Sequence, residues 1–186
     1  MLSRLVELGA ISIDADRIVA DLQQPGEAVF DAIVERFGSG VLTAEGELDR
    51  STLSARVFTD KAELDALEQI VHPAVRTRIQ ETIADIRTHN VEHAPIVVDI
   101  PLVESRDGLY GAHGLIVVDC PYPEAIRRLT ELREMTADDA QRRISNQISR
   151  EQRLELADYV LDNGGNLNEL EVEIGRCWRW MVSQPT

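Results

Sequence analysis

The stretch MLSRLVELGAISIDAD (residues 1–16) decides how this chain is read. Leu2, Leu5, Val6 and Leu8 recur at helical spacing. Gly9 stands where a left-handed residue ends a helix. Ile11 and Ile13 then begin a short apolar strand that Asp14 and Asp16 close. The chain therefore starts inside a helix–turn–strand connection, the unit from which α/β sheets are built.

Working outward, three more segments read as strands. They are PIVVDI (95–100), GLIVVD (114–119) and ADYVLD (157–162). With ISID (11–14), each is rich in Ile, Val or Leu without polar alternation, the pattern of strands covered on both faces. Helical patterns separate them, which predicts a doubly wound α/β fold with a parallel sheet. Each strand ends in an aspartate: Asp14, Asp99, Asp119 and Asp162. In such sheets ligands bind beyond the carboxyl ends of the strands. A single aspartate there is often a helix cap or Asx turn. Four together favour a ligand-binding edge without requiring every one.

About 80 residues lie between the first two strands, too many for a simple crossover. EAVFDAIVERFG (27–38) has an amphipathic repeat and a glycine stop. VLTAEGELDR (41–50) is loop-like, with a turn at Glu45-Gly46. STLSARVFTD (51–60) reads as a helix capped by Ser51. Residues 61–87 read as one or two helices, broken or bent at Pro73. Residues 22–94 thus form a helical subdomain inserted in a core of 1–21, 95–128 and 154–186. A second helical stretch from Pro123 to about Arg153 turns near Arg133–Thr136, and residues 129–153 stand apart as a lid. Thr136-Ala-Asp-Asp resembles a capping box with Asp139 in place of Glu. Leu167 to Val182 is a final amphipathic helix.

The 44% hydrophobic fraction is enough for a core, and the formal charge of −14 excludes a general nucleic-acid binder, which needs a cationic face. No apolar run has the length of a membrane span, and no secretory signal is visible. Cys120 and Cys177 have neither metal nor disulfide spacing, as in a cytoplasmic protein. Basic charge is almost all arginine: Lys61 is the one lysine. Arg127, Arg128, Arg133, Arg142, Arg143, Arg150 and Arg153 fall within 27 residues. Arginine suits planar, bidentate contact with phosphate. A solvated helical face paired with Glu131, Glu134, Asp138, Asp139 and Glu151 accounts for the same run, so a minority of these arginines is expected to touch a ligand. His89 and His93 are spaced i,i+4 but lie in a polar connector, and no residue set reads as a resident metal site.

The triplet Asp14-Ala-Asp16 would place both carboxylates on one side if the strand ran through it. Taken alone, such residues are as often caps as catalysts. In order along the chain it is followed by E-R-F-G, G-x-L-D-R, I-V-H-P, D-I-P-L-V-E, V-V-D-C-P, I-R-R-L, M-T-A-D-D-A-x-x-R-I-x-x-Q, S-R-E-Q-R and A-D-Y-V-L-D-N-G-G. This succession, from Ser3 to about Trp178, closely resembles the dephospho-coenzyme A kinases, a family of P-loop nucleotide kinases.

The resemblance implies transfer of the γ-phosphoryl group of ATP, with Mg2+, to the ribose 3′-hydroxyl of dephospho-coenzyme A. It implies that Asp16 is the general base on that hydroxyl, with Asp14 supporting the site. Arg128, expected to be catalytic with Asp16, matches an arginine at the start of the lid, and Arg133 and Arg143, expected to bind ATP, lie on the lid side; cations there neutralise the transferring phosphoryl group. Asn163 matches the turn that touches the adenine of ATP. His72 and Arg76 match the H-P element of the acceptor-binding region, and Pro101, Leu102 and Glu104 match an element near the acceptor. His72 is equally readable as a helix-end residue packed beside Pro73. The chain departs from the family at three places: P-L-L-x-E is P-L-V-E, the lid's usual Arg-Gly is Arg133-Glu134, and Ala20 stands where an arginine is common, with Arg17 nearby.

The family pattern also carries a strand and G-x-x-x-x-G-K-[ST] ahead of the first helix, and residues 1–186 contain no such motif. Met1-Leu2-Ser3-Arg4-Leu5 fits the register of that helix midway, so Met1 is expected to be an internal methionine of a longer protein. A stop codon in frame upstream of the Met1 codon, before any glycine-rich loop, would overturn that expectation. Two other readings stay open: a non-catalytic coenzyme A or nucleotide-binding module, and a kinase for another small hydroxyl acceptor. The retained D-A-D, lid arginines and D-N-G-G favour catalysis, and the long insertion with its H-P favours dephospho-coenzyme A.

Overall fold

The computed structural model describes residues 1–89, 94–101, 103 and 105–184. Two compact units emerge. The first comprises Met1–Ser12, Glu92–Val97 and Pro101–Thr186; the second comprises Ile13–Val91 and Val98–Ile100.

The first unit is built around the paired ends of the chain. Helix α1 (Leu2–Glu7) stops at Leu8, and Gly9 takes φ +112°, as the turn into strand β1 (Ile11–Asp14) requires. Leu5 is fully buried and packs with Ala10, Leu161, Ile174 and Cys177. Ile174 and Cys177 come from α9 (Leu167–Val182), whose span matches the sequence reading. Leu170, Ile174, Trp178 and Met181 fall at i, i+4, i+8 and i+11 on one face, the stripe of a helix packed on one side. Strand β3 (Ile116–Asp119) runs parallel to β4 (Tyr159–Asp162), with Ile116 opposite Tyr159 and Asp119 opposite Asp162.

Strand β2 (Ile96–Asp99) neighbours β1, where the Ile11 amide donates to the Pro95 carbonyl at 2.9 Å. The described strands make two two-stranded ladders, β1–β2 and β3–β4. Val97 and Ile116 nevertheless pack against the same apolar cluster. The ladder is thus interrupted while the core beneath it continues. Strand cover is also thinner than the apolar runs predict: Val118 is 40% and Val160 43% exposed.

Three helices follow β3. They are α6 (Tyr122–Leu132), α7 (Ala137–Ser145) and α8 (Arg150–Leu156). The turn expected near residues 133–136 is present, and a second break, at 146–149, was not read from the sequence. It is set by Ser149, which caps α8 in a full capping box with Gln152. Thr136 caps α7 through the Asp139 amide, but Asp139 returns to the Thr136 hydroxyl and not to its backbone. An aspartate is one methylene too short for the full box.

The second unit is helical, with helices α2 (Ala15–Leu22), α3 (Ala28–Phe37), α4 (Arg50–Thr59) and α5 (Lys61–His89). Its core is Leu22, Val29, Ile33, Phe37, Val41, Leu53, Val57, Val71, Val75 and Ile79. One expectation is corrected here, and one left between two alternatives is decided. Helix α4 is capped by Asp49, which accepts the Ser51 and Thr52 amides at 3.0 Å, so Ser51 lies inside the helix. Residues 61–89 form one helix that runs through Pro73. Val71, Val75 and Ile79 at i, i+4 and i+8 bury one face on both sides of the proline, which offsets the lost backbone bond. At one corner Glu63 pairs with Arg36 and Arg56, whose guanidinium carbons lie 5.1 and 5.2 Å from the Phe37 ring centre.

Candidate active site

In the first unit, candidate chemistry gathers where β3 and β4 end. The shared register brings Asp119 and Asp162 level. Asp119 is buried, and both its oxygens are taken by Arg150, whose Nε and Nη2 donate at 2.8 and 2.5 Å. A buried carboxylate needs such a partner. Arg150 opens α8, so this pair ties the start of that helix to the end of β3. Asp162 caps the following turn, accepting the Gly164 amide at 2.7 Å. Both strand-end aspartates of this pair are therefore committed within the protein.

The turn Asn163–Gly165 is held from several sides. The Asn163 amide donates to the Asp119 carbonyl at 2.7 Å. Arg128, on α6, donates from Nη1 to the Asn163 carbonyl at 2.7 Å and to Asn163 Oδ1 at 3.0 Å. Its Nη2 donates to the Gly165 carbonyl at 2.7 Å, and its Nε to Glu124 Oε1 at 2.6 Å. Four of the five guanidinium hydrogens are thus used. Glu124 also receives Arg127. Arg127 and then Arg128 hold its carboxyl down to about 2 against a partial desolvation. Gly164 packs so closely that a Cβ there would sit 2.8 Å from Pro121 Cδ.

The remaining arginines of residues 127–153 divide clearly. Arg127 pairs with Glu124 and Glu131, Arg142 with Asp139, and Arg153 donates to the Ile148 carbonyl and Gln147. Arg133 and Arg143 are exposed and have no hydrogen bond or ion pair among the described residues. Between α6 and α7, Glu134 adopts φ +54°, the conformation that favours the glycine usual at this position in the resemblance. Cys120 is half-buried, with its thiol pushed up by burial.

The second unit holds the D-A-D residues. Strand β1 stops at Asp14, which caps α2 by accepting the Arg17 amide at 3.0 Å. Asp16 is therefore a first-turn helical residue and not a strand residue two places on, so the shared-side geometry of an extended triplet does not apply. Its carboxylate is exposed and without a partner among the described residues, where a helix start favours a negative charge. Asp99 ends β2, also exposed. His72 and Arg76, four residues apart, share an exposed face of α5. This leaves His72 open to solvent and not packed as a helix-end residue. Pro101 is exposed, in the first unit. Leu102, Glu104 and His93 lie outside the described residues. Among those described, no three His, Cys, Asp or Glu residues cluster for a metal ion. No helix among them is long and apolar enough to cross a membrane.

The sequence reading missed Glu124, the anchor that orients Arg128; its signal was the i,i+4 spacing of a glutamate N-terminal to an arginine. It counted Asp119 and Arg150 without pairing them, because 31 residues separate them.

The dephospho-CoA kinase family (CoaE) matches residues 1–169. The chain belongs to that family. A dephospho-CoA kinase of Streptomyces avermitilis is 42% identical over 179 residues, covering 96% of this chain and 85% of the relative. One from Thermobifida fusca is 38% identical, covering 94% and 86%. The crystal structure of TT1252 from Thermus thermophilus superposes with a TM-score of 0.77 at 25% identity, covering 97% of this chain and 90% of that one. The dephospho-CoA kinase of Campylobacter jejuni gives 0.67 at 25% identity, covering 96% and 88%. These neighbours share the α/β fold with parallel strands, and the chain is a kinase of the dephospho-CoA kinase family.

Proposed function

We propose that the protein phosphorylates the ribose 3′-hydroxyl of dephospho-coenzyme A, using ATP with Mg2+ as co-substrate. The observation that carries this reading is the Asn163–Gly165 turn, fixed by Arg128 at the end of β4 with the Asn163 Nδ2 left without an acceptor among the described residues. It offers a rigid donor for a nucleobase. Asp16, exposed and unpaired at the start of α2, orients the attacking hydroxyl and takes its proton. Phosphoryl transfer asks for positioning and charge stabilisation more than for covalent chemistry. Arg133 and Arg143 are the lid guanidiniums free to neutralise the transferring phosphoryl group. Asp14 supports Asp16 by starting its helix. His72, Arg76, Pro101, Leu102 and Glu104 serve the acceptor.

Residues 1–186 contain no G-x-x-x-x-G-K-[ST], so backbone amides of that kind and their lysine do not cradle phosphate in this stretch. We expect residues 1–186 to bind ATP–Mg2+ weakly while retaining dephospho-coenzyme A binding. Separate calorimetric titrations test this. Micromolar ATP affinity would refute the first expectation, and no dephospho-coenzyme A binding would refute the acceptor assignment. Turnover, followed as ADP release dependent on acceptor, separates the kinase from a binding module. In the turning-over enzyme Asp16→Asn lowers kcat far more than it weakens acceptor binding. Unchanged turnover would remove Asp16 from its role.

A further inference from the structure

Asn163 carries a side-chain amide whose two ends differ: Oδ1 accepts and Nδ2 donates. The atom facing Arg128 Nη1 at 3.0 Å must be the oxygen, because a guanidinium has only donors. We infer that Arg128 is a specificity-determining positioning residue: it locks the Asn163 amide in one orientation, and that orientation selects adenine over a 6-oxopurine. This rests on the proposed contact between Asn163 and the base.

Arg128 is itself immobilised. Glu124 holds its Nε at 2.6 Å, and two turn carbonyls hold Nη1 and Nη2 at 2.7 Å each. Flipping the amide would turn Nδ2 toward Nη1, setting donor against donor in a half-buried site. The Asn163 backbone cannot swing away to relieve this, since its amide is bonded to Asp119 and its carbonyl to Arg128. Gly164 is wedged against Pro121, which removes a further route. Oδ1 keeps one lone pair, and Nδ2 keeps both hydrogens among the described residues. The outward amide therefore has a fixed order of donor and acceptor.

Adenine and hypoxanthine differ at positions 1 and 6, where their donors and acceptors are exchanged. Adenine offers an acceptor at N1 and a donor at the 6-amino group; hypoxanthine offers a donor at N1 and an acceptor at O6. An amide free to flip serves either base. One that cannot flip serves one of them. Bidentate asparagine–adenine pairing elsewhere discriminates by about tenfold to a hundredfold.

The test is a titration of the protein with AMP and with IMP, which carry equal charge, up to tens of millimolar. The Asn163 side-chain NH2 resonance is followed by NMR and assigned by its loss in Asn163→Asp. The expected result is at least tenfold tighter AMP binding, with the Asn163 NH2 signal shifting. Arg128→Met, checked for folding by circular dichroism, reduces the preference to within about threefold, because the amide then flips. Arg128→Lys keeps a donor facing Oδ1 and retains the preference. If Arg128→Met weakens both nucleotides in parallel, or the wild type does not prefer AMP, the lock is refuted while nucleotide binding stands. Loss of preference in Arg128→Lys equal to that in Arg128→Met also refutes it. If neither nucleotide shifts the Asn163 NH2 signal, the proposed contact between Asn163 and the base falls, and the inference with it.

Discussion

Glu134 supplies the sharpest test of how local backbone geometry sets the stability of this chain. It joins α6 to α7 with φ at +54°, in the left-handed region. For an L residue that conformation costs about 1–2 kcal/mol, because Cβ crowds the neighbouring carbonyl oxygen. Glycine removes that strain but widens the unfolded ensemble, at a cost of about 0.4–1 kcal/mol. Glu134→Gly should therefore stabilise the protein by about 0.5–1 kcal/mol, or about 1–4 °C in Tm for a chain of this size. Glu134 makes no ion pair or hydrogen bond among the described residues, so little else is lost. The helix end itself stays fastened by the Met135 amide, which donates to the Leu129 carbonyl at 3.3 Å. The assay is paired thermal and urea unfolding followed by circular dichroism, with Glu134→Ala as control. Alanine keeps the Cβ and the strain, so it should leave stability within about 0.5 kcal/mol of the parent. If alanine stabilises as much as glycine, the side chain and not the backbone is responsible. If glycine destabilises, the strain argument is wrong.

At Gly164, replacement by Ala puts a Cβ 2.8 Å from Pro121 Cδ, and should cost about 1–3 kcal/mol and weaken AMP binding; an unchanged urea midpoint would show that the turn can relax. Glu124 is held near 2, below an ordinary carboxylate at about 4.3, so its contribution is complete above the ordinary value and lost as pH falls through about 2. The Glu124 carboxyl carbon should accordingly titrate near pH 2 by NMR, and a midpoint near 4 would mean that the Arg127 and Arg128 contacts do not persist in solution. Cys177 is fully buried, and burial raises its thiol to about 11. It should resist a disulfide thiol reagent at pH 8 until denaturant is added; reaction in the folded protein at the rate of a free thiol would contradict its packing in the α9 core.

Much of this molecule is legible from local pattern. The ISID strand, the α9 span and the interruption after Leu132 follow from apolar spacing and stop residues, signals that act within a few residues. The ordered motifs also carried the family. Caps were less legible: Asp49 displaced Ser51, and Asp14 both ends β1 and caps α2, which puts Asp16 in the helix, because several neighbouring side chains can each accept a helix's first amides. At Pro73 the sequence allowed one helix or two, and the structure has one, since burial of Val71, Val75 and Ile79 outweighs one missing hydrogen bond.

Residue order thus told which segments are helix or strand, and which side chains belong to a phosphoryl-transfer family. It did not tell which arginines are spent inside the protein. Arg128 reaches Asn163 across 35 residues and Arg150 reaches Asp119 across 31. Such pairings depend on where strands and helices meet in space, and a guanidinium's donors are the same in the sequence whether they end on a carbonyl or stay free for phosphate.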